Sequence, residues 1–109
     1  MDVTYDHERF SKYQDRLVDL LLKTIYGSLV ESGIADPQLL SSATHATAFG
    51  VAALIDGCTN TSIDDDQFTP FLTFKVPDME AALHGEGSWM HECLDEDAID
   101  AMCGLPAAF

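Results

Sequence analysis

Basic residues are scarce in this chain. Against 19 Asp and Glu stand only 5 Lys and Arg, giving a formal net charge of −14 over 109 residues and a pI near 4.1. So few cations cannot neutralise phosphate, which argues against direct binding of nucleic acid or of an anionic membrane surface. Long apolar runs are missing as well. The longest, Ala46 to Ile55, stops at Asp56, well short of the ~20 residues that span a bilayer. The opening MDVTYDHERF lacks the basic-then-apolar layout of a signal peptide. Cysteine is limited to Cys58, Cys93 and Cys103, an odd number at irregular spacing that builds no disulfide framework. Reduced thiols in the cytoplasm are therefore expected. There is no Gly-rich phosphate loop and no G-x-S-x-G elbow, so the chain is expected not to be an enzyme.

What is present describes a folded object. A hydrophobic fraction of 47% is ordinary for a globular protein and too high for a charge-driven disordered chain. The length suits a single acidic helical domain over residues 1–109. Charge is unevenly spread. Residues 1–33 hold six acids and the four bases Arg9, Lys12, Arg16 and Lys23, whereas residues 34–109 hold thirteen acids and only Lys75. A partner or solvent that selects for acid should therefore act on the later two thirds.

The patterning predicts a mainly α (α+β) fold: two long packed helices, a short strand and a C-terminal helix. Phe10, Tyr13, Leu17, Leu20, Leu21, Ile25 and Leu29 recur at three- and four-residue steps, which predicts a helix from about His7 to Glu31. Val18, Leu22 and Tyr26 widen that face, and Gly33 supplies the stop. Asp36-Pro37 marks the start of a second helix that runs to about Asp56, with Gly57 after it. The small residues Ala43, Ala46, Gly50, Ala53 and Gly57 form a stripe on this helix, which is expected to be the central, most buried one. Ala46, Gly50 and Ala53 are the expected contact with a second copy or with the first helix. Cys58 to Gln67 reads as a polar loop and Phe71 to Val76 as a strand. Met79 to His84 reads as a short helix capped by Pro77-Asp78. The final helix spans about Ser88 to Cys103, with a restart at Asp95 after a kink. Its expected apolar face is Met90, Leu94, Ala98, Ala101 and Met102. A lone strand must find a partner strand.

Each chemical motif has a plainer alternative. His84, His91, Cys93 and Cys103 can all bind metal, but they lack the paired spacing of a zinc site, and no metal or other cofactor is expected. Asp64-Asp65-Asp66 lacks the alternating ligands and glycine of a calcium loop and reads as a solvated acidic loop. His45, on an Ala/Thr-rich helix, is a candidate for a pocket with Thr44 or Cys58. Asp56, ending the most apolar helix, is the one carboxylate in an apolar setting, although such a position also suits simple solvation. Phe71 and Trp89 are either core or anchors for a partner.

Aromatics and uncompensated acid together suggest a protein-binding module. The expected partner-binding residues are Asp64, Asp65, Asp66, Phe71, Trp89, Asp95, Glu96, Asp97 and Asp100. Seven of these are acids, half of the net −14. Small acidic inhibitors of the anti-CRISPR and anti-restriction type are similar in size and charge. That likeness implies a nucleic-acid mimic seated on a basic surface of another protein. The stretch ADPQLLSSATHATAFGVAALIDG, about a fifth of the chain, resembles a ligand-domain helix of TetR-type regulators without their DNA-binding half. The alternative expectation is a helical homo-oligomer with a small-molecule pocket near His45 and Cys58. Adaptation to high salt is a third explanation of the charge.

Overall fold

The structure, a computed structural model, describes residues 3–58, 62–79, 81–85 and 87–106. Helix α1 spans His7–Glu31 and helix α2 spans Pro37–Ile55. Asp6 caps α1 by accepting the Arg9 N–H at 3.1 Å. Asp36 caps α2 by accepting the Gln38 N–H, with Pro37 in the first turn. Gly33, at φ 96°, adopts the left-handed conformation that ends α1. The two helices pack against each other along Val18 and Leu22 on one side and Leu40, Ala48 and Ala52 on the other.

The centre of the α1 face differs from the predicted one. Its buried residues are Phe10, Gln14, Val18 and Leu22, while Leu20 is exposed. On α2 the buried line is Leu40, Thr44, Ala48 and Ala52, joined by Ala53. Ala46 and Gly50 face outward, and a Cβ on Gly50 would meet nothing within 4 Å. Ala46 and Gly50 of the predicted stripe therefore do not pack on α1, although Ala53 is buried; a line of small residues two positions away, Thr44, Ala48 and Ala52, lies inward. Nor is α2 buried on all sides, because Leu39, Phe49, Val51 and Leu54 are exposed. At 19 residues and without a charged side chain, α2 is long and apolar enough to cross a bilayer by length and composition alone.

The second half is built differently. A single 3-10 turn, Met90–Glu92, leads to helix α3, Glu96–Met102. The kink falls where the sequence suggests: Asp95 caps α3, accepting the Asp97 and Ala98 N–H groups at 3.0 and 3.3 Å. Met90 and Ile99, each 1% exposed, fill the space beneath α1 and α2, and burial of each is worth about 1.5–3 kcal/mol. Ala98 and Ala101, expected on the inner face, point outward instead.

Two further expectations are corrected. Residues 82–84 form strand β4 (Ala82–His84), not the end of a helix starting at Met79. Asp78 is engaged by the Arg9 guanidinium at 2.9 Å, and Ala82 and Leu83 are buried at 3% and 0% exposure. Strand β4 pairs in parallel with β1 (Val3–Tyr5), Val3 opposite Ala82 and Tyr5 opposite His84. The predicted strand at 71–76 contributes only an antiparallel bridge between Phe74 and Leu83. Pro70 and Pro77, at either side of that segment, leave little room for a longer ladder. Phe10 lies under β4 against Phe74, ring centroids 5.2 Å apart. A Cβ on Gly85 would come within 2.7 Å of the Phe10 ring. The predicted polar loop holds a small hairpin, β2 (Ser62–Ile63) with β3 (Asp66–Gln67); its residues 59–61 lie outside the described residues.

Candidate functional site

Three regions receive the expected site residues. The first is the β2–β3 hairpin. Asp64 and Asp65 form its two-residue turn, at φ 49° and 66°, the left-handed pairing that suits the twist of hairpin strands. Aspartate tolerates that conformation better than most residues because its short side chain bonds locally. Asp64, Asp65 and Asp66 are all exposed, and among the described residues no Lys or Arg forms an ion pair with them.

The second region is α3. Its acids divide by role. Asp95 is committed to the cap and Asp100 accepts the Ser41 hydroxyl of α2 at 2.5 Å. Both hold the fold, so they are not free surface charges like their neighbours. Glu96 and Asp97 are exposed, and a Glu96 oxygen lies 3.6 Å from His45 Nε2. Ser41, Ser42, His45, Glu96, Ile99 and Asp100 line a cavity of about 200 Å³. Cys58, expected to share a pocket with His45, does not line this cavity.

The third region is the end of α2, where Asp56 organises the following segment. Its side chain is fully buried. Oδ1 accepts the Ser88 hydroxyl at 2.6 Å, and Oδ2 accepts the His91 backbone N–H at 2.8 Å. Oδ2 also meets His91 Nδ1 at 2.5 Å. Burial by itself would raise the pKa of this carboxyl. Hydrogen bonds from Ser88, the His91 backbone and ring and the Met90 backbone outweigh it and hold the group below its ordinary value. An ionised Asp56 accepts from His91 Nδ1–H and so fixes the orientation of the imidazole. Cys58 Sγ lies 3.8 and 3.9 Å from the two ring nitrogens and is exposed. Sequence spacing could not find this cluster, because 35 residues separate Asp56 from His91. Asp56 at the end of an apolar helix is the one signal that pointed here.

The remaining metal-capable groups are dispersed. His84 lies between the Tyr5 and Phe71 rings, 5.5 and 5.6 Å away. Cys93 accepts from the Gln14 amide at 3.7 Å, and Cys103 is buried at the end of α3. Burial pushes both thiols up, aided by Asp15 at Cys93 and Asp100 at Cys103. Among the described residues no three His, Cys, Asp or Glu side chains are arranged to hold a metal ion. Gln14 was overlooked by the periodicity because it is polar. It is buried on α1, and its Oε1 accepts the Trp89 N–H at 2.7 Å.

Aromatic side chains complete the surface. Trp89 is 57% exposed and its ring lies 5.7 Å from His91. Phe49 stands edge-on to the same imidazole at 6.0 Å and stacks on His45 at 6.3 Å. Trp89, His91, Phe49 and His45 thus form a row that ends at Glu96. Phe71, 54% exposed, belongs to the separate group around His84. Compared with protein-family models, curated proteins and solved structures, the chain matches none.

Proposed function

We propose that this protein is a non-catalytic, cytoplasmic binding module that occupies a basic, nucleic-acid-binding surface of another protein and acts as an inhibitor or regulator. The observation that carries this reading is the row Trp89, His91, Phe49 and His45 running to Glu96. Exposed aromatic anchors beside uncompensated acid are what a basic partner surface selects. The bases Arg9, Arg16 and Lys23, all on α1, pair with Asp78 and Asp19. Glu96, Asp97 and the three hairpin acids are left to act outward, where concentrated like charge accelerates encounter with a cation-rich partner. Pairing with a second copy belongs to the same reading. The outward face of α2, with Ala46, Gly50, Val51 and Leu54, carries no charge, while Ala53 is spent on the chain's own core. Sedimentation as a monomer at every accessible concentration would remove the dimer.

The test is competitive capture. The protein is immobilised in lysate of its native cells at low and high salt, and each retained partner is assayed for nucleic-acid binding with and without added protein. The expected partner binds nucleic acid, releases it on addition, and is lost in high salt. Neutralising Asp64, Asp65 and Asp66 to Asn together with Glu96→Gln and Asp97→Asn is expected to weaken capture, mainly through slower association. A chain that folds only in concentrated salt and competes with nucleic acid for nothing would overturn the reading in favour of adaptation to brine.

A further inference from the structure

We propose that Cys58 is a nucleophilic thiol, served by His91 as its base and by Asp56 as a positioning residue, and that it forms mixed disulfides with cationic or neutral low-molecular-weight disulfides. Three features place the parts. Cys58 is exposed, whereas Cys103 is buried and Cys93 is half-buried under the Gln14 amide. Cys58 Sγ lies beside the His91 ring, 3.8 Å from Nδ1 and 3.9 Å from Nε2 and off the Nε2 lone-pair axis, so the exposed thiol delivers its proton to Nε2 only after turning about its own Cα–Cβ bond. The imidazole cannot swing away, because a fully buried carboxylate grips both its Nδ1 and its backbone N–H. A nucleophile beside a base, with that base oriented by a third group, is the arrangement that activates thiols elsewhere.

The reaction needs no external oxidant. His91 Nε2 takes the Sγ proton, and the thiolate attacks one sulfur of the incoming disulfide. A Cys58–sulfur bond forms as the old S–S bond breaks, and the departing thiolate recovers the proton from His91. One disulfide is exchanged for another. The exposed Trp89 and Phe49 rings flank His91 and offer apolar walls to the group transferred. The net charge of −14 attracts a cationic disulfide and repels an anionic one.

Among the described residues the titratable groups nearest this thiol come from the end of α2 and from the 3-10 turn. The end of α2 supplies Asp56, and the 3-10 turn supplies His91 and the exposed Glu92. Gln14 and Asp15 of helix α1, packed on the same turn, act on Cys93 and not on Cys58.

The experiment measures the rate of mixed-disulfide formation with cystamine at about pH 7 and at about pH 10, where a thiol ionises without a base. Mass spectrometry locates the adduct. A peptide of residues 55–61 provides the unassisted rate. At the lower pH the intact chain is expected to react at Cys58 about tenfold faster than the peptide or more, and at the higher pH the two should converge. His91→Asn retains a side-chain N–H for Asp56 in place of Nδ1 but has no Nε2, so it should fall to the peptide rate at the lower pH alone. Asp56→Asn should lose part of the advantage at that same pH. An intact chain no faster than the peptide would overturn the proposal even where a variant fails to fold; so would a folded His91→Asn chain as fast as the parent. The dianionic 5,5′-dithiobis(2-nitrobenzoate) should lose rate relative to cystamine on the protein compared with the peptide. An unchanged ratio would overturn the assigned disulfide class.

Discussion

The helical pair and the segment after it are held together by different physics. Helices α1 and α2 meet through apolar side chains: Val18, Leu22, Leu40, Ala48 and Ala52. The segment from Asp56 onward lies on this pair through Met90 and Ile99, but its path is dictated by polar anchors that side chains offer to backbone N–H groups and to serine hydroxyls. Asp56 binds Ser88 and His91, Gln14 binds the Trp89 N–H, Asp95 caps α3 and Asp100 binds Ser41. Acid is thus used twice in the later region, inward to set the path of the chain and outward as unpaired charge. The inward acids sit at the end of α2 (Asp56), at the start of α3 where free N–H groups collect (Asp95) and within α3 (Asp100), and the outward ones in and beside the hairpin turn and in the first turn of α3.

That contrast can be broken most forcefully at Asp56. Replacing it with Ala strands the His91 backbone N–H and the Ser88 hydroxyl. This should cost about 3 kcal/mol, measured by denaturant unfolding, with a smaller loss in Asn. The same group sets an acid limit. Its folded pKa lies below the ordinary value, so its contribution is complete above about pH 4 and disappears as pH falls through the folded pKa. The Ala variant should lack that part of the acid-unfolding profile. Gly85→Ala comes next. The new methyl group would press on Phe10 Cγ and Cβ, not on a flexible chain end, and should cost about 1–3 kcal/mol. Thr44 has the opposite sign. Its hydroxyl is fully buried in the apolar seam and has no partner among the described residues. Thr44→Val should therefore stabilise the chain by about 1 kcal/mol, raising the thermal midpoint. The smallest effect belongs to the outward acids: Asp64, Asp65 and Asp66 changed together to Asn should shift stability by less than about 0.5 kcal/mol. Asn tolerates the left-handed turn as Asp does. A loss above about 1 kcal/mol there would erase the distinction between inward and outward acid.

The sequence was legible where structure is periodic or punctuated. The extents of α1 and α2, the Asp36 cap, the stop at Gly33 and the restart at Asp95 all follow from spacing or from a single end signal, whereas the Asp6 cap of α1 was not read from the sequence. The apolar face of α1 was placed slightly off centre because Gln14 is buried on it, and burial of a polar side chain depends on a partner 75 residues away. Strands β1 and β4 were illegible for a related reason: three residues carry no period, and their pairing is decided across the fold. On α2, Ala46 and Ala48 are chemically alike, so only the neighbouring helix distinguishes the inward line from the outward one. The Asp56–His91 contact left only half of its signature in the sequence, an acid after an apolar helix.

The clasp between β1 and β4 bears on the order in which the chain folds. It joins residues nearly eighty positions apart through three-residue strands, one of them wholly exposed. Closing such a loop in an otherwise unfolded chain costs about 4 kcal/mol in entropy beyond a constant, more than so short a ladder returns. The clasp therefore has to wait until α1 and α2 have formed and folded back, which brings its two ends within reach. It should close last and open first. In hydrogen exchange, the Asp6 amide, which donates to His84 at 3.0 Å, should exchange by local opening long before the amides at the centre of α1.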